Sequence, residues 1–528
     1  MKKPAPDSGK IAKSAGVVGA AVMLSRMLGL VREQIFAAFF GAGYAYDAFV
    51  VAFRIPNLLR DLFGEGALSA AFVTVFSQYD EKYDAAKTWQ LASNVLTFLT
   101  IVISLLTIIA ALFADYIVDI LAPGFAAVSG KKELTVSLTR IMLPFLLFIS
   151  LSAVVMGMLN TKGRFFIPSL ASSFFNLGSI LGGLSLVYLL PKFGFPAITG
   201  MAVGTLIGGM MQLGVQLPAL RKTSFRYRPH LSLQDPGLRQ VVKLMLPATI
   251  GLSAVQINIF VNTSFAASCG EGSVSWLNYA FRLVQLPIGL FGVAMSIAVL
   301  PVFGRYTAQK NIQGLKDILA SSLTMVFCLT LPAAAGLIIL ADDVIRLIFE
   351  HGVFTALDTA ATAQALSLYA LGLFAYSANK LLVPAFYALD DTKIPVISSF
   401  LSVLVNIIFI YFTIETMQHL AIALSTSVTM LLNFLFLSWI LYRKLAGFSV
   451  AYLLAGLVKI LAAAAVMSIL TWQMKILLSP WLYAGLIQQI SATAIIITLS
   501  VLVYAACLYI LKLPELMVIA GKIKDRFC

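Results

Sequence analysis

Long apolar stretches separated by short polar segments follow one another along the whole chain. An apolar run of about 20 residues is long enough to cross the hydrocarbon core of a bilayer as an α-helix. Fourteen stretches meet this requirement, and we predict one transmembrane helix for each. They lie near residues 15–40, 47–78, 91–113, 135–159, 167–190, 197–219, 240–268, 274–303, 317–340, 361–389, 395–414, 420–442, 450–473 and 483–511. The pattern therefore predicts an all-α polytopic membrane protein.

The composition agrees with this pattern. Of the 528 residues, 60% are hydrophobic and 11% are charged, and the mean hydropathy is +0.94, whereas soluble domains carry about 25% charged residues. The basic, polar N-terminus is followed by an apolar run without a small-residue cleavage site, so we expect the first helix to stay in the mature protein. The four cysteines are scattered without metal-ligand spacing, and we expect no disulfide framework.

Lysines and arginines are unevenly divided between the two sides that fourteen spans define. The N-terminus, the loops after even-numbered helices and the C-terminal tail hold 24 of them, whereas the loops after odd-numbered helices hold 5. Basic residues accumulate on the cytoplasmic side of membrane proteins. We therefore expect both termini in the cytoplasm.

The largest basic cluster lies between helices 6 and 7. It comprises Arg221, Lys222, Arg226, Arg228, Arg239 and Lys243, the last at the start of helix 7. A net charge of +14 also allows a nucleic-acid hypothesis, but a basic loop beside membrane helices more often orients the protein and rests on anionic lipid headgroups. We favour the second interpretation and expect membrane lipids, and no nucleic acid, as partners.

Short identical segments recur at a nearly constant separation, which indicates an internal duplication. Ala52-Phe53-Arg54 recurs as Ala280-Phe281-Arg282 and Leu62-Phe63-Gly64 as Leu290-Phe291-Gly292, both at an offset of 228. At an offset of 227, Val75-Phe76 matches Val302-Phe303, Tyr79 matches Tyr306 and Ile167-Pro168 matches Ile394-Pro395. Each match alone is weak, but together they are collinear. Six spans fit within one offset, so both copies enter the membrane in the same sense as parallel repeats.

The duplication predicts six segments in chain order. They are a cytoplasmic N-terminal tail (1–14), an N-lobe of helices 1 to 6 (15–220), a basic cytoplasmic loop (221–239), a C-lobe of helices 7 to 12 (240–443), helices 13 and 14 outside both copies (444–511) and a cytoplasmic C-terminal tail (512–528). Transporters built from such repeats bind substrate between the lobes near the bilayer midplane.

Apart from Lys243, which is counted with the loop before helix 7, eight cations lie inside predicted spans, where a charge is costly. They are Arg26, Arg32, Arg54, Arg60, Arg140, Arg282, Lys380 and Lys459. One arginine at the centre of a lipid-facing helix costs roughly 2.5 to 3.5 kcal/mol on translocon scales. We therefore expect the arginines to face a watery or anionic interior. Snorkelling to headgroups is the alternative for Arg26 and Arg140.

Helix 2 carries charged residues on one face. Asp47, Arg54 and Asp61 are spaced by seven, and Glu65 follows four residues later. One hypothesis is a self-neutralising face in which Arg54 is paired within this stripe; the other gives Arg54 a place in a cavity. The groups that we predict to support a cavity are Ser25, Asp47, Arg54, Asp61, Glu65 and Lys380.

Four arginines lack a carboxylate three or four residues away on their own helix, namely Arg26, Arg32, Arg60 and Arg282. A guanidinium keeps its charge in a site of low dielectric constant and offers a planar fork that matches phosphate or carboxylate oxygens two at a time. Several such groups around one cavity suit a multiply charged anion such as a diphosphate. We predict that these four arginines bind the ligand.

Prolines and glycines interrupt the helices that carry these arginines. They are Pro56, Gly64 and Gly66 on helix 2, and Pro287, Gly289 and Gly292 on helix 8. A proline inside a membrane helix kinks it where neighbours or cavity water satisfy the freed carbonyl. Pro56, Gly64, Gly66, Pro287 and Gly292 are candidate hinges, with close helix packing as the alternative role of the small residues.

The sequence offers no catalytic or metal-binding constellation. The three histidines lie far apart in loops, and we find no HExxH, Gly-x-Ser-x-Gly or Walker lysine motif. We therefore expect no enzyme activity, no catalytic residue, no metal and no cofactor. Without a nucleotide site, transport has to run on the membrane potential, an ion gradient or the substrate gradient.

Several of these segments resemble the bacterial lipid II flippase family MurJ (MviN), within the multidrug/oligosaccharidyl-lipid/polysaccharide (MOP) exporter superfamily. The similarity rests on Ser25 to Gly29, on Phe40 to Gly43 with Asp47-Ala48-Phe49, on Arg54 to Arg60, on Glu65 to Val73, on Ser273 to Trp276 and on to Arg282, and on Lys380 to Tyr387. It extends over nearly the whole chain. One departure is Phe281, because some family members carry an acidic residue immediately before the arginine of helix 8.

The resemblance implies a fold of fourteen helices in two six-helix lobes around a cationic cavity, with helices 13 and 14 framing a groove for a long lipid tail. It implies that Arg26, Arg32, Arg60 and Arg282 engage the diphosphate headgroup of lipid II (undecaprenyl-diphosphate-linked disaccharide-pentapeptide), with Asp47 nearby. It also implies a monomer in the bacterial inner membrane that flips lipid II to the periplasmic leaflet by alternating access.

Two other functions are weighed against this one. A cation-coupled exporter of drugs or polysaccharide-lipid from the same superfamily is the first, but a drug exporter would favour intramembrane carboxylates over arginines. A membrane scaffold or a lipid-processing enzyme is the second, but the sequence shows no positioned nucleophile or base, and a scaffold has no need of a duplication around buried cations.

Overall fold

The apolar stretches fold into helices. The computed structural model describes residues 8–63 and 67–517, and these residues contain helices and connecting turns but no strand. The α-helices are α1 (Ser8–Phe40), α2 (Tyr44–Phe63), α3 (Ala67–Lys82), α4 (Ala85–Leu112), α5 (Ala114–Leu121), α6 (Lys131–Met142), α7 (Phe145–Thr161), α8 (Phe166–Leu189), α9 (Ile198–Gly214), α10 (Leu217–Arg221), α11 (Pro236–Ala267), α12 (Ser273–Pro287), α13 (Ala294–Ala308), α14 (Ile312–Ile339), α15 (Ala341–Phe349), α16 (Ala356–Leu371), α17 (Leu373–Ala388), α18 (Lys393–Met417), α19 (His419–Lys444), α20 (Val450–Leu477), α21 (Ser479–Leu482) and α22 (Leu486–Ile510). The predicted all-α membrane fold is confirmed.

The chain divides into two compact units, residues 1–275 and 276–528. The first unit holds α1 to α11 and the first turn of α12. Its main apolar core joins α3, α4 and α7, with Phe72, Phe76, Leu91 and Met158 at its centre. The predicted lobe boundaries, 15–220 and 240–443, stay a prediction.

Small residues allow α8 and α9 of the first unit to pack closely. A Cβ added at Gly204 would lie 2.5 Å from the backbone nitrogen of Gly183, and one added at Gly208 would lie 2.5 Å from the carbonyl oxygen of Phe175. Membrane helices use small residues in this way because dispersion contacts, and not water exclusion, hold them together.

The second unit packs α20 and α22 onto its own core. Phe303, Leu319 and Phe386 lie in the same buried cluster as Ile460 of α20 and Leu508 of α22. The hydroxyl of Tyr504 on α22 donates to the carbonyl oxygen of Cys328 on α14 over 2.7 Å. The two helices that follow the repeats are therefore integral to this unit.

Helix boundaries repeat along the chain, as the duplicated segments predict. α3, α4, α5 and α8 begin 227 residues before α13, α14, α15 and α18, and α1 and α7 begin 228 residues before α11 and α17. The counterparts α4 and α14 are equal in length, with 28 residues each. The short helices α5 and α15 were not predicted, since each is amphipathic and too short to span a bilayer.

Within residues 8–63 and 67–517, ten helical segments are long and apolar enough to cross a membrane, or 11 if the bent pair α16 and α17 counts as one span. The remaining three of the fourteen predicted spans correspond to α1, to α2 with α3, and to α11. α2 carries Asp47, Arg54, Arg60 and Asp61 within 20 residues, which lowers its hydropathy. The side chains of α1 and α11 are described only in part.

Candidate functional site

Arg32 is a buried arginine on α1. It is 8% exposed, and its Nη2 donates to Oε1 of the neighbouring Glu33 over 2.9 Å. Glu33 is 3% exposed and also accepts from the hydroxyl of Tyr46 on α2 over 2.5 Å. The guanidinium lies over the ring of Phe175 on α8, 5.3 Å from its centre. Three helices of the first unit therefore hold this arginine in place.

The contact with Glu33 uses only part of the guanidinium group of Arg32. Within the described chain, its Nε is buried and has no hydrogen-bond partner. A buried donor without a partner costs free energy, so a ligand oxygen that reached it would gain a charge-assisted hydrogen bond. Arg32 therefore combines a fixed position with spare capacity to bind an anion.

Arg60, near the end of α2, makes a similar contact. Its Nε and Nη2 donate to Oδ1 of the adjacent Asp61 over 3.0 and 2.8 Å. Both side chains are partly accessible, at 24% and 28%. Gln256 of α11 donates to the other carboxylate oxygen of Asp61 over 3.3 Å. This pair is more open to solvent than the pair at Arg32.

Arg32 and Arg60 each have a counter-ion at the adjacent position, which the sequence criterion did not consider. The sequence argument looked three and four residues away, where helix neighbours face each other. Residues one apart diverge by about 100° around a helix, but the long arginine side chain folds back onto the adjacent carboxylate. Each guanidinium is therefore partly neutralised from the same helix.

Asp47, at the start of α2, is 1% exposed and accepts four hydrogen bonds. Nζ of Lys131 donates to Oδ2 over 2.9 Å, and the backbone N–H of Gly272 donates to the same oxygen over 2.9 Å. The N–H and hydroxyl of Ser275 donate to Oδ1 over 2.9 and 2.5 Å. Asp47 therefore caps the N-terminus of α12 from another helix and neutralises a buried lysine.

The start of α2 is capped in turn by the segment that precedes α12. Oε1 of Glu271 accepts from the N–H of Tyr44 over 2.7 Å. The first turns of α2 and α12 thus exchange caps through Asp47 and Glu271. Carboxylates suit these positions because the N-terminus of a helix presents unpaired N–H groups and a positive partial charge.

Asp47 and Asp61, two of the carboxylates of the helix 2 stripe, pair with groups other than Arg54. The contacts of Asp47 are with Lys131, Gly272 and Ser275, and those of Asp61 are with Arg60 and Gln256. Arg54 itself is half-buried. Glu65, Gly64 and Gly66 lie outside the described residues. The stripe is therefore not neutralised through Asp47 or Asp61.

Ser25 and Arg26 lie about two turns before Arg32 on α1, and both are half-buried. The carbonyl of Ser25 accepts from Nδ2 of Asn176 on α8 over 3.0 Å. The side chain of Asn176 also lies beside Gly29, at 3.7 Å from where a Cβ would stand. The α1 to α8 contact therefore fixes the backbone that carries Arg26.

The candidate residues of the second unit lie on α12 and α17. Arg282 is half-buried, and Lys380 is exposed with its Nζ 5.6 Å from the centre of the Tyr376 ring. Phe281 packs its ring 5.3 Å from that of Tyr369 and 6.5 Å from that of Tyr376. An aromatic cluster therefore occupies the position before Arg282.

The candidate hinges lie at irregular points of their helices. Pro56 is buried inside α2, and Pro287 ends α12 where a π-helical turn, Ile288–Val293, begins. Such wide turns are frequent at functional sites. Gly292 lies against α17, because a Cβ there would come within 3.0 Å of Cα of Ser377. Gly292 therefore has a packing role, and its hinge role stays a prediction.

The structure adds residues that the sequence argument missed. Glu33, Tyr46 and Gln256 contact the predicted arginine sites, and Lys131 contacts Asp47. Glu33 stands beside Arg32 in the sequence and was available as a signal. Lys131 is 84 residues from Asp47, was counted among the loop residues, and carries no local sign of burial. Among the described residues, no group of three or more His, Cys, Asp or Glu side chains comes together as a metal site.

Known proteins match this chain over most of its length. The family model described as lipid II flippase MurJ matches residues 36–509. A probable lipid II flippase MurJ of Vibrio cholerae serotype O1 is 35% identical over 522 residues, which cover 96% of this chain and 97% of that protein. A solved lipid II flippase MurJ in an inward closed conformation is 28% identical, with a TM-score of 0.77 over 93% of this chain and 98% of its own.

A more distant solved structure shares the fold. An inward-facing multidrug resistance MATE family transporter of the MOP superfamily is 16% identical, with a TM-score of 0.69 over 82% of this chain and 98% of its own.

Proposed function

The chain belongs to the lipid II flippase MurJ family, and from that premise we propose that it is a transporter, not an enzyme, and carries lipid II from the cytoplasmic to the periplasmic leaflet of the bacterial inner membrane. The observation that supports a role for the arginines is the buried, fixed guanidinium of Arg32 with its unpartnered Nε. Arg26, Arg60 and Arg282 are the other groups proposed to engage the diphosphate headgroup.

A diphosphate matches the chemistry of these residues. Its oxygens accept two parallel hydrogen bonds from one guanidinium, and the charge of arginine persists where water is scarce. An arginine facing lipid at the helix centre would cost roughly 2.5 to 3.5 kcal/mol. A polyanionic headgroup gives this charge a counter-ion while the ligand is bound.

Glu33 and Asp61 fit a binding site that must also release its ligand. With the headgroup absent, each carboxylate neutralises the neighbouring arginine at 2.8 to 2.9 Å. Ligand oxygens compete with these carboxylates for the same N–H donors. The competition limits the affinity and makes release possible, which transport by alternating access requires.

The membrane potential is the proposed energy source, with an ion gradient as the alternative. A negative cytoplasm favours outward movement of an anionic headgroup, at about 2.3 kcal/mol for each charge moved across 100 mV. The proposed orientation has both termini in the cytoplasm, because 24 basic residues lie on that side and 5 on the other. We propose that the chain works as a monomer, with α20 and α22 framing the groove for the lipid tail.

Native mass spectrometry of the purified protein with lipid II tests this proposal. Wild type is compared with Arg32→Ala and Arg282→Ala, against a neutral lipid of similar tail length. We expect a lipid II adduct that both substitutions weaken and that Arg32→Lys restores only in part, because the planar fork is lost. Equal retention by all proteins would leave tail contacts as the source of binding and favour a polysaccharide-lipid exporter.

Growth of a depletion strain complemented with each variant gives the functional readout. Arg32→Ala, Arg60→Ala and Arg282→Ala are each expected to abolish growth at wild-type levels of folded protein. Normal growth with any one of them would remove that arginine from the proposed site.

A further inference from the structure

The basic loop that follows α10 is bound along the first turns of α4. Phe225 packs against Trp89 with the rings tilted by 56° and their centres 5.2 Å apart, and Tyr227 shares a hydrogen bond with Thr97 over 2.9 Å. Asn94, fully buried, exchanges two hydrogen bonds with the backbone of Ser232, at 3.0 and 2.8 Å. Residues 225–232 therefore form a fixed strap on the surface of α4.

The start of the loop is fixed as well. Nη1 and Nη2 of Arg164 donate to the carbonyl oxygens of Ala219 and Lys222 over 3.1 and 3.0 Å. Farther along, Nε of Arg239 donates to the carbonyl of Leu233 over 2.9 Å. Two basic side chains are thus used to shape the loop, while Arg226 and Arg228 on the strap are exposed.

The strap ends where the apolar belt of α4 begins. The exposed large apolar residues of α4 start with Ile101 and continue through Leu105 and Ile108 to Leu112. Ile101 is four residues beyond Thr97, which is about 6 Å along a helix. Because Tyr227 is bonded to Thr97, the arginines on either side of it lie next to the end of this exposed apolar belt.

The strap carries apolar groups beside its charges. Tyr227 is 49% exposed, Leu231 47% and Leu233 60%. Exposed leucines beside exposed arginines are typical of surfaces that lie in a membrane interface, with apolar groups among acyl chains and cations at phosphates. A nucleic acid or an acidic soluble protein would account for the exposed arginines, but not for the exposed leucines beside the apolar belt of α4.

We propose that Arg226, Tyr227 and Arg228, with Leu231 and Leu233, form a binding site for an anionic glycerophospholipid. The two guanidinium groups bind the headgroup phosphate, and the leucines contact the acyl chains. The site lies on the outer face of the first unit and is separate from Arg26, Arg32 and Arg60. It goes beyond the proposed transport function and does not depend on it.

Native mass spectrometry of the full chain without lipid II tests the site, with phosphatidylglycerol as the probe and phosphatidylcholine as the zwitterionic reference. The test variant is Arg226→Gln/Arg228→Gln. The matched control is Arg305→Gln/Lys310→Gln, which removes two exposed charges, one from the last turn of α13 and one from the turn that follows it. Circular dichroism and size-exclusion chromatography verify that each variant is folded.

We expect the test variant to lose the tightest phosphatidylglycerol adduct, with affinity weakened roughly tenfold to thirtyfold for two basic residues near an anionic surface. The control should keep it, and phosphatidylcholine adducts should be equal in all proteins. Unchanged phosphatidylglycerol retention in the test variant, or an equal loss in the control, would overturn the proposal.

A salt titration of wild type gives a second measurement that needs no variant. Exposed charges are screened within about 10 Å at 0.1 M salt, so the adduct should weaken steadily as salt is raised. Retention that does not respond to salt would contradict a headgroup contact. A clear preference of the same arginines for an undecaprenyl diphosphate lipid over phosphatidylglycerol would contradict the choice of a glycerophospholipid.

Discussion

Lys131 and Asp47 form a buried ion pair, with Nζ and Oδ2 2.9 Å apart and the two side chains 3% and 2% exposed. Nζ of Lys131 also lies 4.4 Å from the centre of the Phe125 ring. A buried pair offsets part of its desolvation cost only while both partners are present. This pair therefore makes stability sensitive to the loss of either charge.

Lys131→Met should destabilise the protein by about 3 to 5 kcal/mol, because it leaves Asp47 as a buried charge without a cation. The double variant Lys131→Met/Asp47→Asn should recover much of that loss. Thermal unfolding in detergent measures both effects. Lys132→Met is the matched control, since its exposed pairs with Asp115 and Asp119 are worth about 0 to 1 kcal/mol. Equal losses of stability in Lys131→Met and Lys132→Met would contradict the difference between a buried and a more accessible ion pair.

Glu33→Gln should strengthen the binding of lipid II. The amide keeps a similar shape but removes the negative charge that competes for Nη2 of Arg32. Native mass spectrometry should then show higher lipid II retention with a steeper dependence on salt. Glu81→Gln, at an exposed position near the end of α3, is the control for charge. Weaker retention in Glu33→Gln would assign Glu33 to positioning Arg32 and not to competing with the ligand.

Gly204→Ala should destabilise the first unit by about 1 to 3 kcal/mol or more, because the added methyl group overlaps the backbone of α8. Its Cβ would lie 2.5 Å from the backbone nitrogen of Gly183. Gly214→Ala, at the end of the same helix with nothing within 4 Å, is the matched control. Unfolding midpoints in detergent compare the two variants. An unchanged midpoint in Gly204→Ala would mean that α8 and α9 can move apart freely.

Cys269, between α11 and α12, should react slowly with maleimides at neutral pH. Burial raises the pKa of its thiol to about 11, and only the thiolate is a strong nucleophile. The rate should therefore increase about tenfold for each pH unit until the pH approaches that value. Peptide mapping by mass spectrometry distinguishes this residue from the other cysteines, and a rate that levels off near pH 8.5 would show an ordinary thiol.

Lys444→Gln should lower stability at neutral pH but not at low pH. Nζ of Lys444 lies 2.6 Å from Asp391 and holds the pKa of that carboxyl below its ordinary value. The contribution is complete above the pKa of the unfolded chain, about 3.9, and is lost as the pH falls through the lower pKa of the folded state. For an exposed pair the difference is at most about 1 kcal/mol. Unfolding midpoints of the two proteins across this range should converge in acid, and a difference that persists there would exclude the ion pair as its cause.

The membrane helices follow from the sequence because each must present an apolar run about as long as the bilayer is thick. All fourteen predicted spans correspond to helices among the described residues, and the duplicated segments anticipate the repeated helix boundaries. The amphipathic helices α5 and α15 were missed because their 8 and 9 residues do not form such a run.

The candidate site was less accessible to sequence reasoning. Residue type and periodicity predicted arginines and carboxylates on α1 and α2, but partners depend on which helices meet. Asp47 contacts Lys131, 84 residues away, and Ser275, 228 residues away. Nothing near Lys131 in the sequence distinguishes it from the neighbouring Lys132, which is only half-buried. Long-range packing decides such contacts, and a single sequence does not encode them locally.

The exchange of caps between α2 and α12 has a consequence for the history of the chain. Asp47 and Ser275 are separated by 228 residues, the offset of the first repeated segments, and so occupy the same position in the two copies. In a dimer of two identical chains, a position that touches its own equivalent has the same residue on both sides, and two buried aspartates would repel each other. Fusion into one polypeptide frees the two genetic copies to diverge, so that one keeps an acid while the other acquires a hydroxyl group.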